Sequence, residues 1–256
     1  QGWKYLLTTD LFAGKSVVVT RASHQSGDLI SALRCEGADV VPAPAIAIVP
    51  PMDGGQPLDD ALLRLERFSW IAFQSSNAVS ALMARAARRG VLRKFDGLRL
   101  AAIGPSTASK VLSELKREPD LVPSNNDGLS LAEAFPAPAS DDRVLIPMAS
   151  DGRLELSDIL TSKGWKVDRV VAYRTVFPSL ADDLVERAIK ADVVIFASPS
   201  AVKGHLEQTR GLTASKIIAI GQTTAEECRV QGLEVSGIAK SQSTEGLLQA
   251  VIGVLV

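Results

Sequence analysis

The chain has few residues of the types that form disulfides or hold metal ions. It contains two cysteines, Cys35 and Cys228, which do not form a CxxC pair, and two histidines, His24 and His205. This set excludes a disulfide scaffold, a cysteine zinc site and an HExxH motif. The cysteine usage fits a reducing cytosol.

The sequence also lacks an excess of charge of either sign and any long apolar run. Its 28 Lys and Arg balance 29 Asp and Glu, for a net charge of −1, which gives no basic field for nucleic acid or a membrane surface. No apolar stretch reaches the length of a membrane span. The first residues, Gln1-Gly2-Trp3-Lys4, lack the order of a signal peptide. We therefore expect a cytoplasmic protein that holds any polyanionic ligand by local donors.

What the sequence does contain is an internal repeat. Val17 and Val144, Gly37 and Gly164, and Val49 and Val176 are each separated by 127 positions (144 minus 17, for example). With 256 residues, of which 46% are apolar and 22% charged, the chain is long enough for two domains. The constant offset predicts that one supersecondary unit occurs twice.

Later blocks of the chain repeat as well. Trp70-Ile-Ala-Phe-Gln-Ser-Ser-Asn-Ala-Val resembles Val193-Val-Ile-Phe-Ala-Ser-Pro-Ser-Ala-Val, and Leu100-Ala-Ala-Ile-Gly-Pro-Ser-Thr-Ala resembles Ile217-Ile-Ala-Ile-Gly-Gln-Thr-Thr-Ala. The segment that starts at Val122 resembles the one that starts at Ala239. In each block an apolar strand ends in small polar residues that open a helix.

Short apolar strands that alternate with helices indicate parallel sheets covered on both faces. The fold class is therefore α/β, with two parallel-sheet lobes. The strands are predicted near residues 16–21, 69–74, 98–103, 120–123, 143–147, 192–197, 215–220 and 234–238.

Two longer extended segments, Asp39–Pro51 and Lys166–Pro178, are bracketed by proline. Because proline lacks the donor that a sheet ladder needs, they are predicted to form a two-stranded connection between the lobes rather than central strands. The predicted organisation is a first domain of residues 1–38 with 179–256, a connector of 39–51 and 166–178, and a second domain of 52–165.

Small polar residues and glycines gather where the predicted strands end. Ligands of open parallel sheets bind at this edge, and helix N-termini there attract carboxylates. We expect the two lobes to present two such rims to one cleft, as a site for a large anionic ligand. Each serine, threonine or asparagine taken alone is equally well explained as an ordinary helix cap.

The ordered set of strings is similar to the uroporphyrinogen-III synthase family. The strings are Val-Val-Val-Thr-Arg, Ile-Ala-Phe-Gln-Ser-Ser-Asn-Ala-Val, Ala-Ile-Gly-Pro-Ser-Thr-Ala, Gly-Trp-Lys-Val-Asp-Arg-Val-Val-Ala-Tyr-Arg-Thr, Phe-Ala-Ser-Pro-Ser-Ala-Val and Ala-Ile-Gly-Gln-Thr-Thr-Ala. They extend from about Lys15 to Leu248. No single string is specific, whereas their order is.

The resemblance implies a cyclising hydro-lyase of haem and tetrapyrrole biosynthesis. Members of the family dehydrate and close hydroxymethylbilane to uroporphyrinogen III and invert the last pyrrole ring through a spiro intermediate. The family fold is two flavodoxin-like α/β lobes joined by a two-stranded connector, with no metal or organic cofactor. It also implies a monomer that takes its substrate from hydroxymethylbilane synthase, with no nucleic-acid or membrane partner.

The resemblance further assigns residues to roles. Tyr173 matches the family's candidate acid, a phenol that assists departure of the terminal hydroxyl, although a tyrosine that only packs in the connector explains it too. Arg153 and Lys216 match basic positions, and both are open to the alternative of solvated surface charges. The implied substrate-binding residues are Arg21, Ser75, Asn77, Gly104, Ser106, Thr107, Arg153, Ser198, Ser200, Lys216, Gly221, Thr223 and Thr224.

Two other functions fit the same sequence features. A bilobed module that binds anionic ligands would share the two α/β lobes and their rims, because fold alone does not determine function. A catalytically silent relative that serves as a regulatory domain would do so as well.

Overall fold

The computed structural model of the chain describes residues 10–22 and 26–256, apart from the side chains of residues 93 and 94. It divides into two compact units. One contains the described residues up to Ala47 together with Val176–Val256, and the other is Ile48–Thr175. Residues 1–9 of the predicted first domain, and His24, lie outside the described part.

The first unit is built on a parallel sheet with the strand order β10-β9-β8-β1-β2. Numbered along this unit alone, the order is 2-1-3-4-5, as in flavodoxin-like folds. Central strands such as β8 are buried at every position, which explains their uninterrupted apolar sequences. The strands are β1 (Ser16–Val19), β2 (Asp39–Pro42), β8 (Val193–Phe196), β9 (Lys216–Ala219) and β10 (Gly237–Ile238).

Helices cover both faces of this sheet. Leu33 and Val251 belong to the core on one face, and Ala188, Val202 and Cys228 belong to the core on the other. Alternate residues of each strand supply the two cores, since neighbouring side chains point to opposite faces. The helices are α1 (Gly27–Cys35), α7 (Asp182–Lys190), α8 (Pro199–Gln208), α9 (Gln222–Val230) and α10 (Thr244–Leu255).

The second unit has its own sheet, with the order β3-β7-β6-β4-β5. The β7-β6, β6-β4 and β4-β5 pairs are parallel. Its strands are β3 (Ala47–Val49), β4 (Trp70–Phe73), β5 (Arg99–Ala102), β6 (Arg143–Ala149) and β7 (Lys166–Val176). Its helices are α2 (Gln56–Leu63), α3 (Ser76–Arg89), α4 (Pro105–Leu115), α5 (Gly128–Ala134) and α6 (Glu155–Ser162).

The repeat in the sequence is a repeat of this sheet. At the offset of 127, β1 corresponds to β6 and β2 to β7. In the later repeats, β8 corresponds to β4 and β9 to β5. Both sheets therefore share one strand order, and β3 adds a further strand beside β7 in the second. The prediction of two parallel-sheet α/β lobes is confirmed.

Strand prediction was less accurate at residues 120–123 than elsewhere. This segment forms only one parallel bridge, between Leu121 and Ala101. A short segment at the edge of a sheet has one neighbour to pair with, so few ladder bonds define it.

The two predicted connector segments belong to the sheets in the structure. Residues 39–42 form β2 at the edge of the first sheet, and residues 166–176 form β7 between β3 and β6 in the second. Proline explains the difference, since Pro42 ends an edge strand, where the missing donor is tolerated, and β7 contains no proline. The unit boundaries, at 47/48 and 175/176, fall within β3 and β7, so the chain passes from one unit to the other through two neighbouring strands.

Candidate active site

The turn from β4 into α3 positions Ser75. Its extended backbone, with φ −163° and ψ 155°, makes it the N-cap of α3, and its Oγ accepts a hydrogen bond from the Ala78 amide at 3.1 Å. A serine at this point satisfies one of the first-turn amides that have no partner within the helix. Ser75 is thereby held at the carboxyl edge of the sheet, beside the point where the strand order reverses between β6 and β4.

Tyr173 lies near the end of β7, and its hydroxyl is 2.9 Å from Ser75 Oγ. The side chain is only 7% exposed and belongs to the core of the second unit. The Tyr173 carbonyl accepts a hydrogen bond from the Ser150 amide at 3.0 Å, in the loop that follows β6. Ser75 therefore contacts the phenol of Tyr173, and the loop that follows β6 contacts its backbone.

The surroundings keep the Tyr173 phenol neutral. Burial raises its pKa above the ordinary value, the hydrogen bond with Ser75 acts in the opposite direction, and the negative charge of Asp151 raises the pKa further. A neutral phenol at the edge of a sheet can donate a hydrogen bond.

The neighbouring helix α4 begins at a glycine rather than at a capping side chain. Gly104 is its extended N-cap and makes no side-chain cap bond. Ser76 Oγ contacts the carbonyl oxygen and the hydroxyl of Ser106, at 3.2 and 3.3 Å, so α3 and α4 begin side by side. The predicted residue Asn77 is partly buried in the first turn of α3, where it already interacts with other groups. These residues give the second unit a rim of small donors and backbone amides.

The first unit repeats this construction. Ser198 is the N-cap of α8, and its Oγ accepts from the Ala201 amide at 3.1 Å, the distance found at Ser75. Gly221 is the extended and uncapped N-cap of α9. Ser200 is partly exposed and Thr223 exposed, so these two predicted residues lie on the rim with open side chains.

Arg21 follows β1 at the same edge and is partly buried. Burial lowers the pKa of its guanidinium, and the nearby carboxylate of Asp28 opposes that shift. The group remains a cation, because arginine stays protonated in proteins.

Lys216 does not lie at the rim, which corrects the prediction from sequence. It is the first residue of β9, whereas the rim forms where the parallel strands end. Its ammonium donates to the Val254 carbonyl at 2.6 Å, near the C-terminus of α10, where carbonyls lack helical partners and favour a cation.

Two more predicted side chains are closed to a ligand. Thr107 and Thr224 occupy the third positions of α4 and α9 and are 4% and 3% exposed. Only their backbone amides can contribute to binding.

Arg153 is exposed in the loop between β6 and α6 and makes no hydrogen bond or ion pair with the residues that the structure describes.

Each rim also contains one residue that was not predicted from the sequence. A Cβ atom added to Gly104 would lie 2.5 Å from Asn126 Oδ1, and one added to Gly221 would lie 3.3 Å from Gln242 Nε2. Asn126 directly precedes Asp127, the N-cap of α5, and Gln242 directly precedes Ser243, the N-cap of α10. The sequence did contain a signal for these two residues, because both lie in the repeated segments that start at Val122 and Ala239.

Other features of the described residues point to no additional chemistry. A groove of about 680 Å³ in the first unit is lined by α7 and the C-terminal end of α8, so it lies away from Ser198. Within residues 10–22 and 26–256, no three histidine, cysteine, aspartate or glutamate side chains are grouped to hold a metal ion. The same part of the chain has no helix long and apolar enough to cross a membrane.

The chain is similar to known proteins along most of its length. The family described as "Uroporphyrinogen-III synthase HemD" matches residues 10–249. A uroporphyrinogen-III synthase from Synechococcus elongatus is 30% identical over 251 residues, which are 93% of this chain and 94% of that protein.

Two solved structures share the fold at low sequence identity. A mutant uroporphyrinogen III synthase from Thermus thermophilus gives a TM-score of 0.67 at 17% identity, covering 94% of this chain and 98% of that one. The uroporphyrinogen-III synthetase of Helicobacter pylori gives 0.62 at 19% identity, covering 93% and 99%. The match of the family over nearly all of the chain, together with the relative from Synechococcus, shows that the chain belongs to the uroporphyrinogen-III synthase family.

Proposed function

We propose that this protein closes hydroxymethylbilane to uroporphyrinogen III, with loss of water and inversion of the last pyrrole ring through a spiro intermediate. Membership of the family supports the reaction. The observation that carries it is the neutral, buried Tyr173 phenol held at a sheet edge beside Ser75. A weak acid at this place suits the departure of a hydroxyl from an electron-rich pyrrole.

Binding of the substrate's carboxylates falls to the two rims. The uncapped first turns that follow Gly104 and Gly221 offer amides with partial positive charge, including those of Thr107 and Thr224. Ser106, Ser198, Ser200, Thr223 and Asn77 add neutral donors, and Arg21 and Arg153 add charge. With mostly neutral donors, the protein acts chiefly by holding the reactive chain in one folded conformation.

The wider setting follows from the same proposal. The substrate is a small tetrapyrrole precursor that arrives from hydroxymethylbilane synthase, and the protein acts as a cytoplasmic monomer without a cofactor. Cys35 and Cys228 are both free thiols, which supports a reducing compartment. That both rims contact one substrate molecule stays a prediction.

Separation of the product isomers tests the reaction. Supplied with freshly generated hydroxymethylbilane, the protein is expected to form the type III isomer, and Tyr173→Phe to lose most of that activity because it lacks the phenolic proton. Tyr5→Phe is the matched control, since Tyr5 is the other tyrosine of the chain. Formation of the type I isomer alone would exclude the enzyme and favour a ligand-binding or regulatory module.

A further inference from the structure

The Ser75 hydroxyl has two neighbours in the second unit. Its oxygen accepts from the Ala78 amide at 3.1 Å and lies 2.9 Å from the Tyr173 hydroxyl. A serine hydroxyl has one hydrogen and can accept two hydrogen bonds. Because an amide can only donate, the bond from Ala78 uses an acceptor site and leaves the Ser75 hydrogen free to point at the phenolic oxygen.

The phenol has little freedom to find another partner. Tyr173 is 7% exposed within a packed core, and its own carbonyl is bonded to Ser150. The phenolic oxygen therefore has one fixed position, and the orientation of the phenolic hydrogen depends on whether Ser75 donates or accepts in the bond between them. If Ser75 donates, the phenolic hydrogen is free to leave the pair; if Tyr173 donates, that hydrogen is occupied.

We propose that Ser75 is a positioning residue for Tyr173: it donates to the phenolic oxygen, and so directs the phenolic hydrogen toward the terminal hydroxyl of the bound bilane. This inference rests on the proposed function and specifies how its acid is held. The same donated bond stabilises the phenolate that forms when the proton is transferred.

The step balances without a further reactant. The carbon–oxygen bond of the hydroxymethyl group breaks with its electron pair on oxygen, which accepts the phenolic proton and leaves as water. The lone pair of the adjacent pyrrole nitrogen supplies the electrons of the new exocyclic double bond. The proton of that pyrrole nitrogen then returns to the phenolate of Tyr173, which leaves an azafulvene and the original phenol.

The chain contains a control for the capping role of this serine. Ser198 caps α8 with the same bond length, 3.1 Å to the Ala201 amide. The position that corresponds to Tyr173 at the offset of 127 is Ile46, which has no hydroxyl. Ser75→Ala and Ser198→Ala therefore remove the same kind of cap, but only the first removes a contact with a tyrosine.

The first measurement is the ionisation of Tyr173 itself. In a Tyr5→Phe background Tyr173 is the sole tyrosine, so the resonance of ring-labelled tyrosine follows one phenol. Ser75→Ala is expected to raise its pKa by about one unit, the effect of one lost hydrogen bond to a charged group. Ser75→Thr should restore the starting value, and Ser198→Ala should leave it unchanged. An unchanged or lowered pKa in Ser75→Ala overturns the proposal.

The second measurement is the division of the effect between kcat and KM. Ser75→Ala is expected to lower kcat about tenfold with little change in KM, because the lost bond matters mainly when charge develops on the phenol. Ser75→Gly, which preserves most of the capping preference, should show the same loss, and Ser75→Thr should recover. A raised KM with unchanged kcat would mean that Ser75 only binds substrate, which also overturns the proposal.

The two proposals fail in different ways. If the wild-type protein forms no type III isomer, the proposed function fails, and the tyrosine titration still decides whether Ser75 donates to Tyr173. If type III forms at the wild-type rate in Ser75→Ala, the function stands and the positioning role fails.

Discussion

The two units share one sheet and one kind of rim, yet they differ at the position that carries the proposed chemistry. Ser75 and Ser198 are equivalent caps with equal bond lengths, and Gly104 and Gly221 begin equivalent uncapped helices. Tyr173 in the second unit corresponds to Ile46 in the first. The duplication therefore supplied the proposed anion-binding edge twice and the proposed acid once. A rim made of caps and backbone amides survives divergence easily, since an amide donor does not depend on its side chain.

The two units also contain ion pairs that differ in how far they are buried. In the second unit, Asp59 is 1% exposed and accepts hydrogen bonds from Arg85, at 2.5 and 2.6 Å, and from Arg89. These bonds hold the pKa of Asp59 well below its usual range. In the first unit, Arg187 and Asp39 form an ion pair in which both side chains are exposed to solvent. A buried pair and an exposed pair thus serve as a natural contrast between the units.

Asp59→Asn is expected to have the largest effect on stability. Asparagine cannot replace the charge that accepts three hydrogen bonds from Arg85 and Arg89, and because a hydrogen bond to a charged group contributes about 1.5–3 kcal/mol, a cost of about 3 kcal/mol is expected. Urea unfolding followed by far-ultraviolet circular dichroism, which reports on the helices of both units, measures the change. Asp39→Asn is the matched variant, and a cost below about 1 kcal/mol is expected there. Equal costs for the two variants would remove the contrast.

The second contrast is the loss of stability that protonation of a buried histidine causes in acid, which only the first unit should show. His205 is fully buried, with Nε2 3.1 Å from Thr213 Oγ1, and burial lowers its pKa to about 4. Residues 48–175 contain no histidine. Because the unfolded state takes up the proton at about pH 6.5 and the folded state only near pH 4, stability is lost as the pH falls between these values. The loss is expected to be about 3 kcal/mol.

Hydrogen exchange at a series of pH values can locate this loss. Protection in the strands and helices around His205 should fall between pH 6.5 and pH 4 more steeply in the wild type than in His205→Gln, which cannot take up the proton. Exchange in the second unit should be the same in both proteins over this range. A wild type and variant with parallel pH dependence in the first unit would show that His205 is not the group responsible.

The smallest expected effect concerns the two uncapped rims. At Gly104 a methyl group would lie 2.5 Å from Asn126 Oδ1, and at Gly221 it would lie 3.3 Å from Gln242. Both glycines have extended backbones that any residue adopts, so alanine adds no backbone strain. Alanine is a poorer N-cap than glycine, and at Gly104 the exposed Asn126 side chain must also move, so a stability cost of about 1 kcal/mol is expected. We expect Gly104→Ala to raise KM about threefold to tenfold and Gly221→Ala to raise it less.

Steady-state kinetics on the two alanine variants, with kcat as the internal reference, measures this difference. Gly97→Ala is a control in the second unit, because a Cβ atom there meets open space. If Gly221→Ala impairs KM more than Gly104→Ala, the first unit's rim has the tighter fit and the order of the two rims is reversed.

Much of the fold was predictable from the repeats and the apolar strands. The strands near residues 69–74, 143–147 and 192–197 were located because they are buried on both faces, which leaves an unbroken apolar signal. The position of residues 166–176 inside the second sheet was not predictable, because prolines near the ends of an extended segment do not reveal which strands will pair with its middle. Pairing depends on segments that are distant along the chain.

The candidate site was predictable to a similar, partial extent. Residue types and repeats identified the rims, but the exposure of individual side chains was not visible, as Thr107 and Thr224 show. Lys216 was assigned by resemblance, whereas it lies at the start of β9 and the rim forms where the strands end. Asn126 and Gln242 were missed because their importance lies in contact with a glycine on a different turn.

By itself, the sequence determined that one α/β unit occurs twice, that its strands are parallel and covered, and that small donors follow them. These properties depend on local periodicity and on residue type, which are readable along the chain. Only the tertiary structure decided that Tyr173 reaches Ser75, that Asp59 is enclosed by two arginines, and that Lys216 serves a helix end. Each of these contacts joins segments that are remote in sequence, and packing of the whole unit selects among the many pairings that the chain permits.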